Sequence, residues 1–435
     1  MTADGRRARR LTATVTDLDV ARQKALLVGV ELDGTGSDSV GRSMRELRLL
    51  TDTAGSTPVE TVVLKRRSPH PATFVGPGQA EALARDAIRL DVDVVVFDNS
   101  LAPGQQRNLQ ELFECDVVDR VAVILDIFAQ HATSREGMLQ VELALLRYRL
   151  PRLRGKGIEL SRLGGGIGTR GPGETRLETD RRRIMRRISN LDKLLAQVHQ
   201  AREGQRKSRT GKAIPSASLV GYTNAGKSTL MNALTGAGVR TEDRLFSTLD
   251  STTRRFELPN GRLLLLSDTV GFVRRLPHQL VEAFRSTLLE TSRADFLVHV
   301  VDASEPSAPE QVAAVREVLD SIGAGHLPEI LVLNKADLAD DPTASRLRGL
   351  YPEAVSVSAL EGTGIDELTE RLADHLALDS QQIDLLVPYP KGQVLGRLRR
   401  EAEVLAEDHR ADGTLVSVRL PVDQVDRYGE FAVRP

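Results

Sequence analysis

The octapeptide Gly221-Tyr222-Thr223-Asn224-Ala225-Gly226-Lys227-Ser228 lies between the apolar run Ser218 to Val220 and the helical pattern Thr229 to Leu234. A Gly-x-x-x-x-Gly-Lys-Ser stretch in that setting leaves few foldings open. It requires a strand, a loop whose amides face an anion, and a helix whose N-terminus adds to the positive field. The glycines let backbone N–H groups wrap phosphate oxygens, Lys227 brings a point charge to the outer phosphates, and the Ser228 hydroxyl can ligate magnesium. The segment therefore predicts the strand-loop-helix centre of an α/β domain built around a nucleoside phosphate with Mg2+ as cofactor.

Two later segments at strand ends refine that reading. Asp268-Thr269-Val270-Gly271 closes the apolar run Leu263 to Leu266, where a metal-facing aspartate and a glycine amide that senses the γ-phosphate are needed. Asn334-Lys335-Ala336-Asp337 closes Ile330 to Leu333. A carboxylate there can accept hydrogen bonds from guanine N1–H and the exocyclic amine. Adenine lacks that donor pair, so the segment selects GTP and GDP over ATP. Ser358-Ala359-Leu360, after the short strand Ala354 to Val357, resembles a loop whose amides meet guanine O6.

Between these segments, Phe246-Ser247-Thr248-Leu249-Asp250-Ser251-Thr252-Thr253 occupies the place of a switch loop whose threonine completes magnesium coordination. Spacing alone leaves Thr248, Thr252 and Thr253 open. Phe272 follows Gly271 where many small GTPases place a glutamine that orients the attacking water. An apolar ring cannot do so. Either hydrolysis depends on a partner or a switch rearrangement, or Phe272 is a packing residue.

The 435 residues exceed what one core usually supports, which predicts an α/β multidomain chain. After a basic tail, 1–22, the alternation of apolar runs and helical patterns over 23–120 predicts an N-terminal α/β domain with a parallel sheet. Over 121–206 the pattern predicts a long two-helix arm, with one helix from Val121 to Leu150, a Gly/Arg-rich loop over Gly155 to Gly173, and a polar helix from Glu174 to Arg206. A linker, 207–213, leads to a Ras-like P-loop GTPase domain over 214–376. A small α+β domain, 377–435, follows, with strands at Leu385 to Val387 and Leu415 to Leu420 around a helix at Gly392 to Arg400.

No apolar run is long enough to span a bilayer, and Cys115 is the sole cysteine, so a disulfide within the chain and a multi-cysteine zinc site are excluded. These features predict a cytoplasmic protein without membrane insertion. His131, His199 and His299 lack metal-ligand spacing and read as packing or surface residues. Gly76-Pro77-Gly78 reads as a structural turn ahead of a helix. The net charge is only -1, yet arginine crowds Arg147 to Arg187. Arg152, Arg154, Lys156, Arg162, Arg170 and Arg176 flank glycines, and Arg181, Arg182 and Arg183 begin the second arm helix, so guanidinium groups can pair with RNA phosphates. With Tyr148 as the nearby aromatic residue, shape and phosphate recognition of folded RNA fit better than base stacking.

The chain resembles HflX-type GTPases through residues 221–229, through Asp-Thr-Val-Gly-Phe at 268–272, and through Gly-Pro-Gly-Glu-Thr-Arg-Leu-Glu-Thr-Asp-Arg-Arg-Arg at 171–183. Phe74 to Gly78 and Arg135 to Leu143 extend the likeness over nearly the whole chain. Arg176 departs from it, standing where glutamine is usual. The resemblance implies a GTPase that binds the large ribosomal subunit and its RNA through the N-terminal region and dissociates or rescues stalled or idle ribosomes under stress, as a monomer when free. An RNA-binding assembly factor with GTP as a slow timer is the alternative. The resemblance also selects Thr248 as the switch threonine, making Lys227, Thr248 and Gly271 the catalytic groups. In potassium-activated relatives of this GTPase class the position of Asn224 helps hold a monovalent cation, which makes K+ a second candidate cofactor. The other reading of Asn224 is loop stabilisation.

Overall fold

The computed structural model describes residues 22–34, 36–153, 172–207, 214–236, 245–246, 252–274, 291–378, 380–421 and 425–433. It divides into two compact units, Met1–Leu195 and Ala196–Pro435.

The first unit is built on β1 (Gln23–Leu32), β2 (Ser56–Arg66), β3 (Val94–Phe97) and β4 (Asp116–Asp119), all parallel, in the order β2-β1-β3-β4. A parallel strand covered on both faces needs a continuous apolar run, and Ala25 to Val30 is such a run, every residue of it buried. Helices α1 (Ser37–Thr53), α2 (Pro77–Arg89) and α3 (Pro103–Phe113) connect the strands, and the last two start at prolines whose missing N–H a first helical turn does not need. Leu26, Val28 and Val30 pack with Leu83, Val95 and Leu109 on one face of the sheet.

One long helix over Val121 to Leu150 does not form. The chain instead makes α4 (Arg120–His131) and α5 (Arg135–Arg149), broken by extended backbone at Ala132 and restarted by Ser134, whose Oγ accepts from Gly137 N at 2.9 Å. Thr133-Ser134 followed by Glu136 is a helix-start signal inside an otherwise periodic run. The break changes the domain boundary. Helix α4 packs on α1, and buried Arg120 binds Asp98 at 2.7 Å and Glu46 at 2.9 Å, so α4 belongs to the sheet domain and the arm consists of α5 and α6 (Pro172–Lys207). Leu143 of α5 packs with Leu191 and Leu195 of α6, flanked by Arg187–Glu142 and Arg147–Asp192 ion pairs.

The second unit carries a six-stranded sheet in the order β10-β9-β8-β5-β7-β6: β5 (Ser216–Gly221), β6 (Thr252–Glu257), β7 (Leu263–Asp268), β8 (Phe296–Asp302), β9 (Glu329–Asn334) and β10 (Val355–Ser356). Only β6 runs antiparallel, against β7. Helices α7 (Lys227–Thr235), α8 (Ala308–Ser321), α9 (Asp341–Leu350) and α10 (Ile365–Leu378) connect and flank the strands. The C-terminal ends of β5, β7, β8 and β9 place Gly221, Asp268, Asp302 and Asn334 along one rim, where open α/β sheets bind ligands.

The C-terminal portion is an antiparallel sheet, β11 (Ser380–Val387), β13 (Gly413–Pro421) and β12 (Glu403–Arg410) in that order, with α11 (Gly392–Glu401). Val416, Val418 and Leu420 bury against Leu385, Val387 and Leu398. Strand β12 has no counterpart in the sequence reading, because most of its residues are exposed and polar; pairing with β13 makes it a strand. No helix among the described residues is long and apolar enough to cross a membrane.

Candidate functional site

The loop after β5 turns on Gly226 at φ 89°, a left-handed position that favours glycine. A Cβ there would stand 2.2 Å from Asn334 Nδ2. That close approach exists because the Asn334 amide reaches across the rim: Nδ2 donates to Ala225 O at 2.8 Å, and Oδ1 accepts from Ala359 N at 3.0 Å. Asn334 is 1% exposed. One buried side chain thus joins the phosphate loop, 109 residues back in sequence, and the Ser358-Ala359 turn, 25 residues on, to the end of β9. Ala336 N donating to Val357 O at 3.1 Å adds a second tie.

Lys227 is buried, and its ammonium donates to Gly221 O at 3.1 Å and Tyr222 O at 2.9 Å. Burial pushes its pKa down to about 8, with the Asp268 carboxylate pulling the other way. The loop therefore holds a desolvated cation that an outer phosphate would relieve. Beside it, Ser228 Oγ donates to Asp268 Oδ2 at 2.7 Å, and Asp268 is fully buried. Two hard oxygen donors at that separation, with a carboxylate between the loop and β7, fit a divalent cation that also takes phosphate oxygens and water. No group of three or more metal-ligating His, Cys, Asp or Glu side chains occurs among the described residues.

The Asp268-Thr269-Val270-Gly271 segment is held against the phosphate loop. Thr269 Oγ1 donates to Leu219 O at 2.6 Å, Phe272 N to Gly221 O at 3.1 Å, and Thr223 N to Phe272 O at 2.8 Å. Gly271 packs so closely that an added Cβ would lie 2.8 Å from Thr223 Cγ2 and 3.1 Å from Lys227 Nζ. The Phe272 side chain is 2% exposed, so of its two readings the packing one matches its position. Tyr222 adds another tie, its hydroxyl accepting from Arg274 N at 2.7 Å.

At the base end, Asp337 is exposed and makes no protein hydrogen bond among the described residues, whereas Lys335 stands at φ 59° with Nζ 2.7 Å from Asp302 Oδ2. Asp302 escaped the sequence reading; its signal was an aspartate at the end of a buried parallel strand. Ser358 and Ala359 are buried and Leu360 is 82% exposed. Asn224 is exposed at φ 60°, a left-handed conformation that asparagine tolerates better than most residues. Phe246 is buried, also at positive φ. Ser247, Thr248, Leu249 and Asp250 lie outside the described residues. Of the alternatives to Thr248, Thr253 lies in β6 with its hydroxyl 2.9 Å from Ser267 Oγ, and Thr252 pairs opposite Asp268.

Arg152 is not an exposed RNA contact. Its guanidinium donates to Gln106 Oε1, Tyr148 O, Leu101 O and Asp119 Oδ2 at 2.8–3.2 Å and lies 3.6 Å over the Tyr148 ring. Asp119, fully buried, also accepts from Tyr148 Oη and caps α4 through Ala122 N; a buried carboxylate needs such partners, and Arg152 supplies the charge. Arg181, Arg182 and Arg183 are exposed on α6, Arg182 paired with Glu178. Arg154, Lys156, Arg162 and Arg170 lie outside the described residues, and only the backbone of Arg176 is described. His299 is buried and bonded to Glu329, its pKa lowered by burial, a packing role.

Three family models match in tandem: a GTP-binding GTPase N-terminal region over residues 41–129, a GTP-binding GTPase middle region over 131–209, and a 50S ribosome-binding GTPase domain over 216–335. A GTPase HflX from Caldanaerobacter subterraneus is 42% identical over 415 residues, 95% of each chain. The chain belongs to the HflX family of GTPases. The Escherichia coli HflX is 42% identical over 405 residues, 92% of this chain and 94% of the relative. A solved GDP complex of a GTP-binding protein, SsGBP, is similar at 26% identity and a TM-score of 0.45, covering 81% of this chain and 98% of that one. As an HflX-family member the chain is a GTP-binding protein that hydrolyses GTP.

Proposed function

We propose that this GTPase binds the large ribosomal subunit through exposed arginines of its arm and dissociates or rescues stalled or idle ribosomes, working in the cytoplasm under stress and free as a monomer. The observation that carries the nucleotide part is the Asn334 clasp, which ties Ala225 of the loop that bears Lys227 and Ser228 to Ala359 of the turn after β10. In this reading the loop amides from Gly221 to Ser228 wrap the phosphates, Gly271 N meets the γ-phosphate, Asp337 reads guanine, and Ala359 and Leu360 meet O6. Magnesium would be held by Ser228 and Thr248, with Asp268 behind them, and supplies charge neutralisation of the β- and γ-phosphates. Lys227 adds the fixed positive charge.

Support for the ribosomal partner comes from the domain family matched by residues 216–335 and from the guanidinium groups of Arg181, Arg182 and Arg183, which face water rather than protein acceptors other than Glu178. Sedimentation with purified large subunits tests it: co-sedimentation with a non-hydrolysable GTP analogue but weakly with GDP is expected, and equal or absent binding in both states would overturn it. Conversion of whole ribosomes to subunits on a sucrose gradient tests the splitting step.

A second reading, an assembly factor that uses GTP as a slow timer, is favoured by one observation: Phe272 is buried where a water-orienting side chain would stand. It predicts negligible turnover even with large subunits present. Asn224, exposed at the loop crest, is the position proposed for K+; equal hydrolysis rates in sodium and potassium buffers would rule the ion out.

A further inference from the structure

We infer that Tyr222 is a positioning residue for the γ-phosphate: its hydroxyl latches the chain that follows Gly271 onto the phosphate loop, which keeps the glycine beside Lys227 without help from nucleotide. The inference rests on the nucleotide-site reading above and deepens it.

Pairing of β5 with β7 stops at Leu219 opposite Asp268 and resumes as one bridge, Tyr222 opposite Phe272. Between the two points lie Val220 and Gly221 on one side and Thr269, Val270 and Gly271 on the other. The extra residue makes the second stretch bulge from the ladder, and a bulge re-aims the backbone it contains. Gly271, the last residue of the bulge, lies against the loop: a Cβ there would stand 2.8 Å from Thr223 Cγ2 and 3.1 Å from Lys227 Nζ.

The bulge keeps that shape if both of its ends are held. Upstream, the β5–β7 ladder and the 2.6 Å bond from Thr269 Oγ1 to Leu219 O hold it. Downstream, the backbone part is a single bridge, with Phe272 N donating to Gly221 O at 3.1 Å and Thr223 N to Phe272 O at 2.8 Å. In a continuing parallel ladder Arg274 N would donate to Thr223 O. The loop turns away here, with Ala225 N donating to Tyr222 O at 3.3 Å, and Arg274 N donates instead to Tyr222 Oη at 2.7 Å. The tyrosine side chain thus carries the pairing two residues beyond the bridge, where a lone bridge at a sheet end would open readily. Tyr222 is 7% exposed, so phenylalanine would fill the same space and lack the acceptor. GDP has no γ-phosphate to meet Gly271, so the latch bears on GTP and on its hydrolysis rather than on GDP.

Tyr222→Phe is read in three ways on the full chain. Amide hydrogen exchange without nucleotide should quicken over residues 269–274 and stay unchanged in β8 and β9. Affinity for a non-hydrolysable GTP analogue should fall by about 3–10-fold, the range that one hydrogen bond spans, with GDP affinity within about 2-fold. Single-turnover hydrolysis at saturating GTP should slow by about 3-fold or more, because charge grows on the transferring phosphoryl that the glycine amide meets. Exchange like that of wild type, equal losses of GDP and analogue affinity, or an unchanged hydrolysis rate overturns the inference. A failure of the site reading itself would show differently, as no saturable nucleotide binding by the wild-type chain.

Discussion

Removing the Asn334 amide tests the architecture of the site directly. In Asn334→Ala, Ala225 O loses a 2.8 Å donor and Ala359 N a 3.0 Å acceptor, both around a side chain that is 1% exposed. A buried polar group left unpaired costs about 1–3 kcal/mol, so two of them sum to roughly 2–6 kcal/mol. Water entering the vacated space beside Gly226 recovers part of this, which makes about 2–3 kcal/mol the working expectation for unfolding of the nucleotide domain. Bound phosphates would hold the loop by their own contacts, so nucleotide must supply part of the order the amide supplied before. At 1.4 kcal/mol per decade, GDP affinity should weaken by about 10-fold or more. Urea unfolding without nucleotide and fluorescent GDP titration measure the two effects. If Asn334→Ala unfolds within about 0.5 kcal/mol of wild type and binds GDP equally well, the clasp is not what joins the two ends of the site.

Gly271→Ala would put a methyl group 2.8 Å from Thr223 Cγ2, so GTP hydrolysis should fall steeply while GDP binding persists; retained turnover in a phosphate-release assay would contradict the packing described. The Lys227 pKa lies near 8 against 10.5 unperturbed, which means the folded state disfavours the charged form. The nucleotide-free protein should accordingly gain stability as pH rises from about 8 toward 10.5, while GDP affinity falls above pH 8 as the ammonium is lost. Affinity that stays flat from about pH 7 to 9 would refute that reading of the buried lysine. Arg152→Ala should destabilise the first unit by about 2–3 kcal/mol by stranding Asp119. Arg181→Glu with Arg183→Glu should leave its melting unchanged and weaken subunit binding in a salt-dependent way; the reverse pattern in melting and sedimentation would reverse the two roles.

The candidate nucleotide-site residues could be named from the sequence because the pattern they form is local. A phosphate loop needs glycine, lysine and serine within eight residues at the end of a strand, and each of Gly221, Asp268 and Asn334 sits where an apolar run stops. The parallel sheets were legible for the same reason, since strands buried on both faces are continuous in sequence. Asp302 was missed because its role depends on Lys335, a partner brought near by the pairing of β8 with β9. Strand β12 was missed because its polar residues acquire strand geometry only beside β13.

The four chemical segments and their order were thus set by residue type and short-range pattern alone. Tertiary structure decided which polar side chains are engaged. Arg152 read as one of a run of basic residues until folding placed the buried Asp119 carboxylate within its reach. Partner and burial depend on distances between segments far apart in the chain, and a linear pattern does not carry those distances.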